Sequence, residues 1–287
     1  MSEYAHPEVL VSISELPTYL ADPRVKLVQV DEDTLLYEMG HLPGAVKLDW
    51  HTELQRTDIR DFVDAPGFAA LMEAKGISND SVVLLYGDQS NWWAAYAFWF
   101  FKYNGHQEVK LINGGLQKLQ ESGVELTREM PEITPGTYEV PYRDASIRAF
   151  SHDVLRHLLS VQSGTGALVD VRSFPEYTGE RLHMADYPQE GALRGGHIPG
   201  AASIPWSQAI NPDGTFKSAA ELRELYEGAG VSRDHAVIAY CRIAERSSHS
   251  WFALKYLLGY PDVRNYDGSW TEWGNLVGVP ITQGEQP

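Results

Sequence analysis

Cys241 is the only cysteine among the 287 residues of the chain, and its neighbours have the types and spacing expected around a thiol nucleophile. Arg242 follows it directly, and Arg246 lies five positions after it. The thiolate is the attacking form of cysteine, and nearby cations favour it over the thiol. The two arginines could also bind an anionic group of a substrate. These residues predict covalent chemistry at Cys241.

The segment around Cys241 has the pattern of a strand, a tight loop and a helix. The apolar run 237–240 (VIAY) is typical of a buried strand, and apolar residues recur at helical spacing over 247–258. Ser247 and Ser248 could cap that helix, and Gly259 could end it. Because the helix dipole would place positive potential near the sulfur, we expect a lowered pKa for Cys241, with Glu245 opposing the shift.

A second interpretation of the cysteine is structural. A lone cysteine after an apolar strand is often a small buried hydrophobic residue. The loop residues Arg242, Glu245 and Arg246 are unfavourable in a core, so we expect the loop to face solvent with the sulfur at its edge.

The chain contains one long internal repeat. Residues 40–45 (GHLPGA) recur as 196–201 (GHIPGA), an offset of 156, and Tyr86 and Tyr240 are 154 residues apart. The matched histidines, His41 and His197, are predicted to be structural because both halves carry them. Strands alternate with helices in both halves, which predicts two α/β domains with largely parallel sheets.

The predicted strands are 25–31, 46–48, 81–86, 109–112, 167–171, 236–240 and 263–266. Outside the segment after Cys241, the predicted helices are 68–75, 91–103, 116–120 and 219–226, with a short one capped by Ser12 or Ser14.

The repeat predicts the domain borders and which half of the chain carries the thiol chemistry. The expected domains are 1–126 and 143–287, joined by a Pro-containing linker at 127–142, and an insertion at 173–195 lengthens the second half. An offset of 154 aligns Cys241 with Gly87, Arg242 with Asp88 and Arg246 with Trp92. Only the second half can therefore carry thiol chemistry.

Composition limits the partners and the location. A net charge of −16 disfavours nucleic acid and anionic membranes as partners. No apolar run approaches the roughly 20 residues of a membrane span, and residues 1–20 lack the pattern of a signal peptide. One cysteine allows no internal disulfide, which suits a reducing cytoplasm. The His, Cys, Asp and Glu spacings match no metal site.

Several motifs occur in order from about residue 9 to residue 281. Besides the two turns, they are the strand end 169–172 (VDVR), the loop start 240–242 (YCR) and the segment 266–273 (YDGSWTEW). Together they resemble the tandem-domain rhodaneses, a family of thiosulfate sulfurtransferases. The resemblance implies two tandem rhodanese-like domains, each with a mainly parallel five-stranded sheet flanked by helices, of which only the C-terminal one is catalytic.

The length of the active loop, residues 241–246, distinguishes families with related architecture. The spacing from Cys241 to Arg246 is C-x4-R, the length found in sulfurtransferases, whereas related dual-specificity phosphatases have C-x5-R. Arg242 resembles the C-R-K-G start of thiosulfate-type loops rather than the C-G-S-G of mercaptopyruvate-type loops. The chain departs from the usual residues at Ile243, Ala244 and the pair Glu245-Arg246.

The resemblance also implies roles for individual residues. Cys241 would carry a persulfide, with Arg242 and Arg246 binding the sulfonate oxygens of thiosulfate. Ile243, Ala244, Glu245 and Ser247 would complete the loop, and Asp170 and Arg172 would brace it. Glu176 stands where many animal members place a substrate-binding arginine. We expect His249, inside the active helix, to be structural.

The implied reaction moves sulfane sulfur from thiosulfate to cyanide or a thiol acceptor and needs no cofactor. The protein is expected to be a monomer or a weak homodimer. Two alternatives stay open: a preference for 3-mercaptopyruvate as donor, and a persulfide carrier that serves a protein partner.

Overall fold

The computed structural model describes residues 4–184 and 191–287, which form two compact units. The N-terminal unit consists of residues 8–144 and 212–216, and the C-terminal unit contains the remaining described residues. The borders predicted at 126 and 143 stay a prediction, because compactness does not show which segments fold independently. The predicted insertion at 173–195 includes residues 185–190, which lie outside the described residues.

The described part of the N-terminal unit contains one five-stranded sheet. Its strands are β1 (Leu10–Val11), β2 (Val25–Gln29), β3 (Val46–Lys47), β4 (Val82–Tyr86) and β5 (Val109–Ile112). They are arranged in the order β1-β5-β4-β2-β3, and all neighbours pair in parallel. The helices are α1 (Leu16–Leu20), α2 (Leu36–Met39), α3 (Ala65–Ala74), α4 (Trp92–Tyr103) and α5 (Gly115–Glu121).

The C-terminal unit repeats this arrangement. Its strands are β6 (Arg148–Ala149), β7 (Gly166–Asp170), β8 (Ala201–Ser203), β9 (Ala236–Tyr240) and β10 (Val263–Tyr266). Their order is β6-β10-β9-β7-β8, again parallel throughout. The helices are α6 (Ser151–Gln162), α7 (Phe174–Thr178), α8 (Ala219–Gly228), α9 (Glu245–Phe252) and α10 (Ser269–Trp273). Two parallel five-stranded sheets flanked by helices confirm the predicted fold class.

Equivalent polar contacts hold the two repeated turns. In the N-terminal unit the backbone N–H of Leu42 donates to the hydroxyl of Tyr86 (2.9 Å), and in the C-terminal unit Ile198 donates to Tyr240 (3.1 Å). His41 stacks on Tyr37, and His197 stacks in the same way on Tyr177, with ring centroids 3.9 and 3.7 Å apart. Both histidines are buried, and each lies within hydrogen-bonding distance of two backbone carbonyl oxygens.

Several elements begin or end away from their predicted bounds. Helix α3 starts three residues before the predicted 68, because the Asp64 side chain accepts a hydrogen bond from Gly67 N and caps the helix. Helix α1 has no side-chain cap, so the predicted capping by Ser12 or Ser14 is wrong. Helix α9 starts at Glu245, so Ser247 and Ser248 lie inside it rather than capping it.

Among the described residues, no helix combines the length and apolarity that crossing a membrane requires.

Candidate active site

The active loop lies at the carboxyl end of β9, which is flanked by β7 and β10 in the sheet. Cys241 is the first residue after β9, and α9 begins four residues later. The turn into the helix is made at Ala244, whose φ of 76° is left-handed. Such a conformation favours glycine, and an alanine adopts it at a cost of about 1–2 kcal/mol. The loop is therefore held in a shape that its own sequence does not favour.

Cys241 is fully buried, and polar contacts inside the C-terminal unit hold its sulfur and its backbone N–H. Its thiol donates a hydrogen bond to Oε2 of Glu245 (3.1 Å), and the Ser247 hydroxyl donates to Sγ (3.5 Å). Its backbone N–H donates to the hydroxyl of Ser269 (3.2 Å). The Ser247 hydroxyl has one proton, which it shares between Sγ and the nearer Oδ1 of Asn265 (2.6 Å). Contacts from α9, β10 and α10 thus fix the position of the sulfur.

Two carboxylates neutralise the two arginines of the loop. Glu245 lies 3.3 Å from Nε of Arg242 and 3.4 Å from Nε of Arg246. Nη1 and Nη2 of Arg246 donate hydrogen bonds to the carboxylate of Glu176, on α7, over 3.0 and 3.1 Å. Burial opposes ionisation of Glu176, but Arg246 outweighs it and lowers the pKa of this carboxyl to about 2. The formal charges of these four side chains sum to zero.

The expectation that the loop faces solvent is wrong. Arg242, Glu245 and Arg246 are at most 3% exposed. Charged side chains tolerate such burial when each is paired and hydrogen-bonded. Pairing with Glu176, 70 positions away in sequence, completes this arrangement.

The expectation of a lowered pKa for the Cys241 thiol is also wrong, because the shift has the opposite direction. Burial, and after it the negative charge of Glu245, raise the pKa of Cys241 to about 11, although Arg246 and Ser247 oppose the shift. Desolvation disfavours any anion that is removed from water, and it outweighs the nearby cation here. In this arrangement Cys241 carries its proton at neutral pH.

Asp170 and Arg172 form a buried pair next to the loop. The Arg172 guanidinium donates to both carboxylate oxygens of Asp170, at distances down to 2.6 Å, and to the carbonyl oxygen of Gly196 (2.7 Å). It also lies over the ring of Trp270, 4.3 Å from the centroid. The backbone N–H of Trp270 donates to the carbonyl oxygen of Cys241 (3.0 Å), so Trp270 connects the pair to the loop.

A cleft of about 390 Å³ opens beside the loop. Arg246 and Glu176 form part of its wall, and the remaining lining is mainly aromatic, polar or basic: Ser173, Phe174, Arg181, His183, Met184, Pro205, Trp206 and Ser207. Since Cys241 has no exposed surface, a sulfur donor can reach Sγ only if side chains of the loop move aside.

The sequence did not identify three residues as part of the site: Trp206, Asn265 and Ser269. Asn265 gave no clear signal, because its strand reads VRNY and also contains Arg264.

His249 lies inside α9 and is fully buried, with its ring edge-on to Trp206 at 5.3 Å. Burial lowers the pKa of this imidazole to about 3, so it is neutral at physiological pH.

Among residues 4–184 and 191–287, no group of three or more His, Cys, Asp or Glu side chains is arranged to hold a metal ion.

The equivalent position in the N-terminal unit leaves no room for a side chain. A Cβ placed on Gly87, which aligns with Cys241, would overlap the backbone carbonyl oxygen of Val30. The next residue, Asp88, donates its backbone N–H to Asp31 (2.9 Å), and its carboxylate accepts from Glu32 N (2.7 Å). This loop could accept a thiol only if the neighbouring strand end moved.

Gly87→Ala is therefore expected to lower the free energy of unfolding by about 1–3 kcal/mol, the usual cost of overpacking. Gly40→Ala is the matched control, because its backbone is extended (φ 166°) and its Cβ would meet only Leu126 at 3.5 Å. Urea unfolding followed by circular dichroism measures both variants. Equal effects of the two changes would contradict the steric argument.

Comparisons with known proteins agree with this architecture. The family model for the rhodanese-like domain matches residues 12–122 and 152–276. The sulfur carrier protein TtuD of Thermus thermophilus is 65% identical over 283 residues, covering 99% of both chains. The thiosulfate sulfurtransferase of Corynebacterium glutamicum is 47% identical over 284 residues, covering 99% of this chain and 93% of that one.

A solved structure shows the same fold at low sequence identity. The crystal structure of YnjE superposes with a TM-score of 0.84 at 23% identity, covering all of this chain and 71% of that one. Since both repeats match the family model and close relatives align along their whole length, the chain belongs to the rhodanese family and is a tandem-domain sulfurtransferase.

Proposed function

We propose that the protein is a thiosulfate sulfurtransferase that works through a persulfide on Cys241. The observation that carries the proposal is the placement of the only cysteine at the carboxyl end of β9, four residues before a helix and in a loop that contains two arginines. Covalent catalysis of this kind divides one difficult transfer into two easier steps. The N-terminal unit, with Gly87 in the equivalent place, takes no part in the covalent chemistry.

In the first step, Sγ of Cys241 attacks the outer sulfur of thiosulfate, and sulfite leaves with the electron pair of the broken S–S bond. In the second step, cyanide or a thiol attacks the outer sulfur of the persulfide and Cys241 is released. Arg242 and Arg246 bind the sulfonate oxygens by exchanging part of their contact with Glu245 and Glu176 for the donor. No cofactor is required, since neither step needs an external oxidant or reductant.

A second candidate function is a persulfide carrier that passes sulfur to a protein partner. The observation that favours it is the neutralised, buried site: four paired charges offer a thiosulfate dianion less attraction than two unpaired arginines would. The relative from Thermus thermophilus, 65% identical, is named a sulfur carrier protein. A carrier would hold its persulfide against small acceptors and turn over slowly with them.

Intact-mass spectrometry after thiosulfate treatment tests the persulfide directly. The sole cysteine makes the result unambiguous: one added sulfur atom supports the proposal, and an unchanged mass contradicts it. Steady-state thiocyanate formation then separates the two candidates. Rapid turnover on cyanide supports the sulfurtransferase, whereas a persulfide that forms but discharges slowly to cyanide supports the carrier.

Arg242→Gly is expected to lower kcat/KM for thiosulfate by about 10- to 150-fold, corresponding to the loss of about 1.5–3 kcal/mol of charge-assisted hydrogen bonding. Relative preference should shift toward 3-mercaptopyruvate, which lacks the sulfonate. Arg242→Lys should recover only part of the loss, because an ammonium keeps the charge without the planar fork. Arg156→Gly, which removes an exposed arginine on α6, controls for net charge. Equal losses with both donors would remove Arg242 from the donor site and leave a bracing role through Glu245.

A further inference from the structure

The carboxylate of Glu245 lies at the centre of the active loop, and its two oxygens have different partners. Oε2 accepts from the Cys241 thiol (3.1 Å) and from the backbone N–H of Ile243 (3.1 Å). Oε1 faces the two arginines, 3.3 Å from Arg242 and 3.4 Å from Arg246. The side chain has no exposed surface. One oxygen is thus fixed against the reacting sulfur while the other is held by cations.

This arrangement creates an electrostatic difficulty for the proposed reaction. A thiolate formed beside an ionised Glu245 would place two negative charges about one hydrogen bond apart in a buried site, where repulsion is strong. A persulfide anion would meet the same repulsion and would compete with Oε2 for the Ile243 N–H. Both difficulties disappear if the proton lost by the sulfur moves onto Glu245.

We propose that Glu245 is a second catalytic residue, which takes the proton of Cys241 during donor attack and holds it for as long as the persulfide exists. This inference rests on the proposed function and concerns the same site. The thiol already donates to Oε2, so the transfer runs along an existing hydrogen bond. Geometry of this kind is the first requirement for a general base.

The proposed steps balance in atoms and charge. The S–H bond of Cys241 breaks and an O–H bond forms on Oε2, while Sγ bonds to the sulfane sulfur and sulfite departs with the electron pair of the broken bond. When cyanide removes the outer sulfur as thiocyanate, Sγ takes the proton back from Glu245. The pair Cys241–Glu245 carries a single negative charge in both the resting and the persulfide state.

The surrounding charges support this cycle. The groups that face Glu245 are Cys241, Arg242 and Arg246, and Glu176 on α7 holds Arg246 from the other side. Burial opposes ionisation of Glu245, but the two arginines outweigh it and keep the pKa of this carboxyl low in the resting site. When the sulfonate of a donor draws Arg242 toward itself, Glu245 loses part of that stabilisation and becomes a better proton acceptor. Donor binding and activation of the thiol are thereby coupled.

The test is single-turnover persulfide formation against pH, followed by rapid quenching and intact-mass spectrometry with thiosulfate and with inorganic polysulfide. In the wild-type protein an internal base makes the rate nearly constant between about pH 6 and 9, because the proton is transferred within the pair. Without such a base the rate would rise tenfold per pH unit toward the thiol pKa of about 11. This comparison needs no substitution, so it holds even if a variant folds poorly.

Glu245→Gln keeps the size of the side chain and removes the base. Persulfide formation at pH 7 should fall by about 10²- to 10⁴-fold and should acquire the tenfold rise per pH unit. The thiolate absorbance of the sole cysteine should at the same time titrate at lower pH, since a neighbouring negative charge is gone. A role that is only electrostatic predicts the opposite change in rate. Glu224→Gln, the same change at an exposed position on α8, is the matched control.

Three outcomes would overturn the inference: a wild-type rate that rises tenfold per pH unit, a Gln variant as fast as or faster than wild type, or a loss that is the same at every pH. These differ from failure of the proposed function. If wild-type protein gains sulfur from polysulfide but not from thiosulfate, the donor assignment fails and Glu245 is still tested. If wild-type protein gains sulfur from neither donor, the result contradicts both the persulfide mechanism and the role of Glu245.

Discussion

Replacing Cys241 with serine is expected to abolish sulfur transfer and leave the fold intact. The thiol is the only one in the chain, and a serine hydroxyl neither ionises near neutral pH nor forms a stable persulfide. Activity should fall to the uncatalysed level, measured as cyanide-dependent thiocyanate formation. The smaller oxygen can still donate to Glu245, so the circular dichroism spectrum and the urea midpoint should change little.

Intact mass provides the matching control for this variant. Wild-type protein should gain one sulfur atom from thiosulfate, and Cys241→Ser should gain none under the same conditions. Activity retained by a folded serine variant would show that the chemistry lies elsewhere. Loss of activity together with loss of the circular dichroism spectrum would point to a structural role for the buried thiol instead.

Much of the fold was predictable because its signals are local. Strands β4 and β9 coincide with apolar runs bounded by polar or turn residues, and the predicted bounds of β4, β5, β9 and β10 are right to within one residue. The edge strands β1 and β6 have two residues each, too few for any periodicity. They exist because β5 and β10 present unpaired backbone groups, a property of the assembled sheet. Helix α6 was missed, although its polar and apolar residues alternate at helical spacing.

The candidate site was predictable only in part. Cys241 stood out because it is unique and follows a buried strand. The burial of Arg242, Glu245 and Arg246 could not be inferred, because it depends on Glu176, which approaches from a different helix. The direction of the Cys241 pKa shift was misjudged for a related reason. Sequence neighbours reveal the nearby charges, whereas desolvation depends on everything that packs around the sulfur.

Arg172→Met is expected to destabilise the C-terminal unit by about 3–5 kcal/mol, because it leaves the buried carboxylate of Asp170 without its cation. Methionine keeps most of the length that packs against Trp270, so the loss reports the charge and its hydrogen bonds. The carbonyl oxygen of Gly196 loses a donor as well. Urea unfolding measures the change. Arg156→Met is the control, since that arginine is exposed and its pairing with Asp153 should contribute no more than about 1 kcal/mol.

A double variant separates the charge from the packing. Asp170→Asn keeps an acceptor for the backbone N–H of Arg172, which the carboxylate now holds at 3.0 Å, and it removes the negative charge. Combined with Arg172→Met, it should recover about 0.5–3 kcal/mol, the coupling typical of residues in one buried network. If the pair serves mainly to balance charge, the double variant is more stable than Arg172→Met alone. If the double variant is less stable, the guanidinium acts through Gly196 and Trp270, and Asp170 only orients it.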